Sequence, residues 1–66
     1  MTKTEFDGKI RNFCRLVKWR TGTVLGENYL KEEVFKYCIR NNTRMIPKLA
    51  YDEKNFNVVM EHQNVA

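Results

Sequence analysis

Arg44–Glu61 reads RMIPKLAYDEKNFNVVME, and its apolar residues alternate instead of recurring every three or four positions. Met45, Leu49 and Tyr51 alternate with Arg44, Lys48 and Ala50; Phe56, Val58 and Met60 alternate with Asn57, Val59 and Glu61. A period of two puts one set of side chains on each face of an extended chain, which predicts strands over 44–51 and 56–61. Asp52-Glu53-Lys54-Asn55 supplies the turn, since Asp at its first position and Asn at its last suit a type I turn followed by a left-handed residue. That register sets Tyr51 opposite Phe56 and Leu49 opposite Val58. Pro47 has no N–H to donate to a ladder, so its strand is an edge or begins just after it.

A two-stranded hairpin is not stable alone, so its cover must lie upstream. The segment from Tyr29 to Asn41 places Leu30, Val34, Tyr37 and Cys38 on one face at helical spacing, with Asn28 as N-cap and Asn41-Asn42 as the stop. Phe35 and Ile39 widen the apolar sector past one stripe. That breadth predicts contact on two sides and makes this helix the central layer. Glu32 stands four residues before Lys36, a pairing that stabilises a helix by a few tenths of a kcal/mol.

A longer helix is expected over 4–20, where Phe6, Ile10, Phe13, Cys14 and Val17 share a face. Thr2 with Glu5, and Thr4 with Asp7, each have capping-box spacing. Gly8 costs this helix about 1 kcal/mol relative to Ala and is expected to delay its start. Thr21 and Gly22 end it. Within the link Thr21–Glu27, TGTVLGE, the residues Thr23, Val24 and Leu25 could form a short strand between two glycines. The expected fold is one α+β domain over 1–66: two helices packed on a C-terminal β-hairpin, with the short strand giving the order α-β-α-β-β. Residues 62–66 are expected to fray. The arrangement is only partly winged-helix-like, because a helix-turn-helix needs two short helices and usually a turn glycine, and no glycine follows Gly26.

Sixty-six residues bury only about 60% of their unfolded surface, so a homodimer is an expected aid to stability. The hydrophobic fraction of 42% suffices for a folded core. The absence of a signal-like h-region or a run of eighteen apolar residues predicts a cytoplasmic protein without a membrane partner. Cys14 and Cys38 fall in the helical patterns and read as free buried thiols. His62 is the only histidine, and no CxxC or HxxxH spacing exists, so no metal is expected. With no serine, scattered acids and no GxGxxG or GxxxxGK[ST] pattern, neither catalytic residues nor a cofactor are expected; the chain does not read as an enzyme.

The charge distribution is the one functional signal. Lys9–Arg20, KIRNFCRLVKWR, carries five of the twelve Lys and Arg and no acid; the remaining seven face eight Asp and Glu, so this segment holds the chain's whole excess of +4. No acid occurs between Gly8 and Gly26. Arg11, Arg15 and Lys18 share a helix face, Trp19 flanks it, and Arg20 lies on another flank. Cations on one helix face can contact successive phosphates, and an aromatic beside them can stack on a base or anchor in a protein pocket. Arg40, Arg44 and Lys48 form a second candidate patch. The expectation is a small binding protein whose partner is nucleic acid, DNA more than RNA, met by phosphate-backbone contacts. The alternative is a regulator or inhibitor that docks an acidic protein surface through the same helix or by edge-strand addition.

Overall fold

A computed structural model describes residues 2–61. The hydroxyl of Thr2 accepts the backbone N–H of Glu5 at 3.1 Å, which caps helix α1, Lys3–Thr21. Thr4 therefore lies inside the first turn and is no cap. Gly8 does not delay the helix; it sits within α1, with open space where a Cβ would project. Gly22 ends α1 in the left-handed conformation, φ 75°, and its N–H donates to the Lys18 carbonyl at 2.8 Å.

The expected short strand at Thr23, Val24 and Leu25 does not form. Residues 22–26 make the tight connection between two helices, and a strand there has no partner: the sheet contains β1 and β2 alone among the described residues. Val24 is 75% exposed. Helix α2 covers Glu27–Arg40 and starts two residues earlier than expected, with Gly26 in place of Asn28 at the N-cap. The early start is favoured by Glu27, whose carboxylate stands at the positive end of the helix dipole and faces cations. Asn41 caps the far end and Asn42 takes a left-handed φ of 50°.

The core is drawn mainly from α2. Leu30, Val34 and Cys38 join Ile10 of α1 in one buried cluster, and Phe6, Phe13, Cys14, Leu49, Val58 and Met60 pack against it. Helix α2 is thus the layer that α1 and the hairpin share. It is not covered on two sides, however. Phe35 and Ile39 are 62% and 64% exposed, because α1 and the hairpin pack toward the Leu30, Val34 and Cys38 side. The expected Glu32–Lys36 pair is replaced by Glu33 with Lys36 at 3.7 Å, which uses the i, i+3 spacing.

Strands β1, Lys48–Asp52, and β2, Asn57–Glu61, pair antiparallel. β1 begins just after the buried Pro47, not at Arg44, since Pro47 cannot donate to the ladder. The register differs by two residues from the expected one: Tyr51 faces Val58 and Leu49 faces Met60. Asp52 is the cause. Its Oδ1 accepts the N–H groups of Lys54 at 3.0 Å and Asn55 at 3.4 Å, and its Oδ2 accepts the Asn55 side-chain amide at 2.8 Å. These bonds make Asp52 the cap of the turn, so the turn occupies 53–56 and Asp52 itself pairs with Asn57. A shift of two residues preserves which side chains face the core, so the inward set remains as the alternation predicts, apart from Phe56 and from Met45, which lies before β1 and is 43% exposed.

Phe56 leaves the ladder. It takes a left-handed φ of 53° at the turn and is 78% exposed. Phe56→Gly is expected to raise the unfolding free energy by about 0.5–1 kcal/mol, because glycine adopts this backbone without the Cβ penalty. A lower urea midpoint for the variant would show instead that the ring contributes packing.

The Asn55 amide holds the Asp52 carboxyl below the usual carboxylate range; desolvation opposes it, and the Lys54 and Asn55 N–H groups add to the lowering. A depressed folded-state pKa stabilises the fold above the unfolded-state value and is lost as pH falls through the folded one. The turn is therefore expected to loosen only below the ordinary aspartate range. Amide NMR of Lys54 and Asn55 across an acid titration reads this directly; shifts centred above that range would contradict it.

Candidate basic interface on the first helix

The 3.6-residue period of α1 turns Ile10 and Val17 inward, with Phe13 and Cys14 half-buried beside them. The same period leaves Arg11, Arg15, Lys18, Trp19 and Arg20 exposed. Trp19 is 80% exposed, so it neither covers the core edge nor folds beneath the loop at Thr23. Arg15, Lys18 and Arg20 make no ion pair among the described residues. Two of them, Lys18 and Arg20, stand in the last turn, where they also complement the negative end of the helix dipole. That structural role accounts for the cations but leaves the indole unexplained.

Arg11 differs from the others. Its Nε lies 3.4 Å from Glu27 Oε1, and Lys31 Nζ bridges Glu27 at 3.7 Å and Asp7 at 3.3 Å. Two cations and two carboxylates therefore form a neutral chain that runs between α1 and α2. Antiparallel packing of the helices aligns these pairs in one register, Asp7 beside Lys31 and Arg11 beside Glu27. The three-cation stripe expected from spacing is thereby reduced to Arg15 and Lys18, with Arg20 on the flank beyond Trp19. The signal for this was present in the acid that opens α2, but its use depends on the short connection that folds α2 back along α1.

The second patch is divided. Arg44 lines a groove beside Lys3 at the start of α1, whereas Lys48 lines a separate cleft with Lys9, Phe13 and Pro47. Arg40 is exposed in the last turn of α2. These three cations do not converge on one surface comparable to the end of α1.

Both thiols are free. Burial pushes Cys14 up from the ordinary thiol range and the Glu27 carboxylate adds to this, while Lys31 opposes it. Burial does the same to Cys38, whose Sγ contacts the Met45 carbonyl at 3.5 Å. Protonated thiols of this kind are poor nucleophiles at neutral pH. Among the described residues no group of three His, Cys, Asp or Glu could hold a metal ion, and His62 lies outside them together with the expected frayed segment 62–66. No helix among the described residues is long and apolar enough to cross a membrane. No family model, no curated protein and no solved structure matches this chain.

Proposed function

We propose that this chain is a small non-enzymatic binding protein of the cytoplasm that contacts nucleic acid through the C-terminal half of α1, in a regulatory role. The observation that carries the reading is Trp19. Its indole is 80% exposed, with Arg15 one turn before it on the same face and Lys18 and Arg20 on its two flanks, three cations that no acid neutralises among the described residues. Exposing the largest apolar side chain to water is unfavourable for a free protein, while an indole flanked by cations suits a polyanion with aromatic bases. Phosphate contacts would supply affinity with little sequence preference. An acidic protein surface is the second reading, in which the same exposed indole becomes the buried anchor of an interface.

Because Trp19 is the only tryptophan, its fluorescence reports directly on the site. Titration with duplex DNA and with single-stranded RNA at two salt concentrations should show quenching or a spectral shift, tighter binding to DNA, and an affinity that falls as salt rises. Absence of binding at low salt would overturn the nucleic-acid reading. Stoichiometric recovery of an acidic protein from nuclease-treated lysate would then favour the second.

A further inference from the structure

A groove of about 710 Å³ runs between the start of α1 and the C-terminal half of α2, well apart from Trp19 in the chain. Phe6, Phe35, Cys38 and Ile39 supply its apolar lining, and Lys3 and Arg44 stand at its rim. Phe35 and Ile39 are more than half exposed, which is a large apolar area for a chain with so small a core. No acid lines the groove, and neither Lys3 nor Arg44 makes an ion pair among the described residues. One acid stands just beyond it on the same face of α2: Glu32, three residues before Phe35 and seven before Ile39. Glu32 also makes no ion pair among the described residues, since Lys36 turns to Glu33.

Lys36 also lies on this face but is held by Glu33 at 3.7 Å, so the order of the remaining groups is an anion, two apolar side chains and a cation, and that order is complementary to itself when reversed. We infer that the groove is the interface of a two-fold homodimer, in which α2 packs antiparallel on α2 of a second copy. With the axis midway between Phe35 and Ile39, Phe35 of one copy lies against Ile39 of the other. Glu32 then stands about 7.5 Å along the helix from the axis, level with the end of the second copy's α2. The left-handed turn at Asn42 brings Arg44 to the groove rim there, within reach of that carboxylate. Symmetry forms this ion pair twice. An unrelated acidic partner would satisfy Lys3 and Arg44 but would meet repulsion from Glu32, and a phosphate surface would meet the same repulsion. A second copy leaves none of these charges opposed.

Sedimentation equilibrium of the full chain over a range of protein concentrations tests this. A reversible monomer–dimer equilibrium is expected. Ile39→Glu should abolish it with an unchanged circular dichroism spectrum, because the side chain is exposed in the single copy. Glu32→Arg and Arg44→Glu should each raise the dimer Kd by about tenfold or more, and combining them should restore it to within about threefold of the original. A monomer up to about 1 mM, a dimer insensitive to Ile39→Glu, or a double variant no tighter than either single variant would overturn the inference.

Discussion

Ile10→Ala is expected to remove most of the stability of this protein. Ile10 is fully buried and joins α1 to the Leu30, Val34 and Cys38 cluster of α2. Truncating such a side chain strips away apolar packing and leaves a cavity, a combined cost of about 2–5 kcal/mol. A core in a chain of this size supplies only about 3–5 kcal/mol in total, so the variant should retain little of it and unfold at a far lower urea concentration than the parent protein. Val24→Ala is the control: Val24 is exposed in the connection, and its truncation should change stability by less than about 0.5 kcal/mol. Urea denaturation followed by circular dichroism, at one protein concentration, reads both variants. A loss below about 1 kcal/mol for Ile10→Ala would mean that the two helices do not meet at this residue.

The second large effect concerns the end of α1. Replacing Arg15, Lys18 and Arg20 together with Gln should lower the slope of log affinity against log salt on duplex DNA by about 2.7, from about 0.9 for each phosphate that is no longer neutralised. Arg11→Gln should change the slope much less, because Glu27 already holds that guanidinium at 3.4 Å. The contrast separates a built interface from a general excess of charge: equal effects of all four cations would reduce the proposal to nonspecific attraction. Trp19→Ala should act differently again. It is expected to weaken single-strand binding by about 1–3 kcal/mol, because the bases no longer stack on the indole, with little change in salt slope. All these side chains are exposed, so the helix content of each variant should match the parent protein.

In Lys9–Arg20 the buried face and the pairing of the outward cations have different physical origins. Which side chains of α1 face inward follows from a period of 3.6 residues, and Ile10 and Val17 are buried as that period requires. Which of the outward cations remain unpaired does not follow, because Glu27 is sixteen residues from Arg11 and meets it only when the chain reverses at 22–26. The hairpin shows the same division. Alternation fixes the inward faces of Leu49, Val58 and Met60, but a choice between registers two residues apart leaves those faces unchanged. The choice rests on whether Asp52 enters the turn or caps it, and three hydrogen bonds to its carboxylate make it the cap.

Helix α2 carries the contrast furthest. Its apolar breadth is legible in the order of Leu30, Val34, Phe35, Cys38 and Ile39, since hydrophobicity and helical spacing are local properties of the chain. Local properties also set the two helices, the Thr2 and Gly22 caps of α1, the hairpin and the concentration of charge in Lys9–Arg20. Packing alone determines that α1 and the hairpin share the Leu30, Val34 and Cys38 side, that Phe35 and Ile39 remain open to water, and that Arg11 is neutralised while Arg15, Lys18 and Arg20 are not. Burial and ion pairing are relations between residues distant in the chain, so they come into existence only when the chain closes on itself.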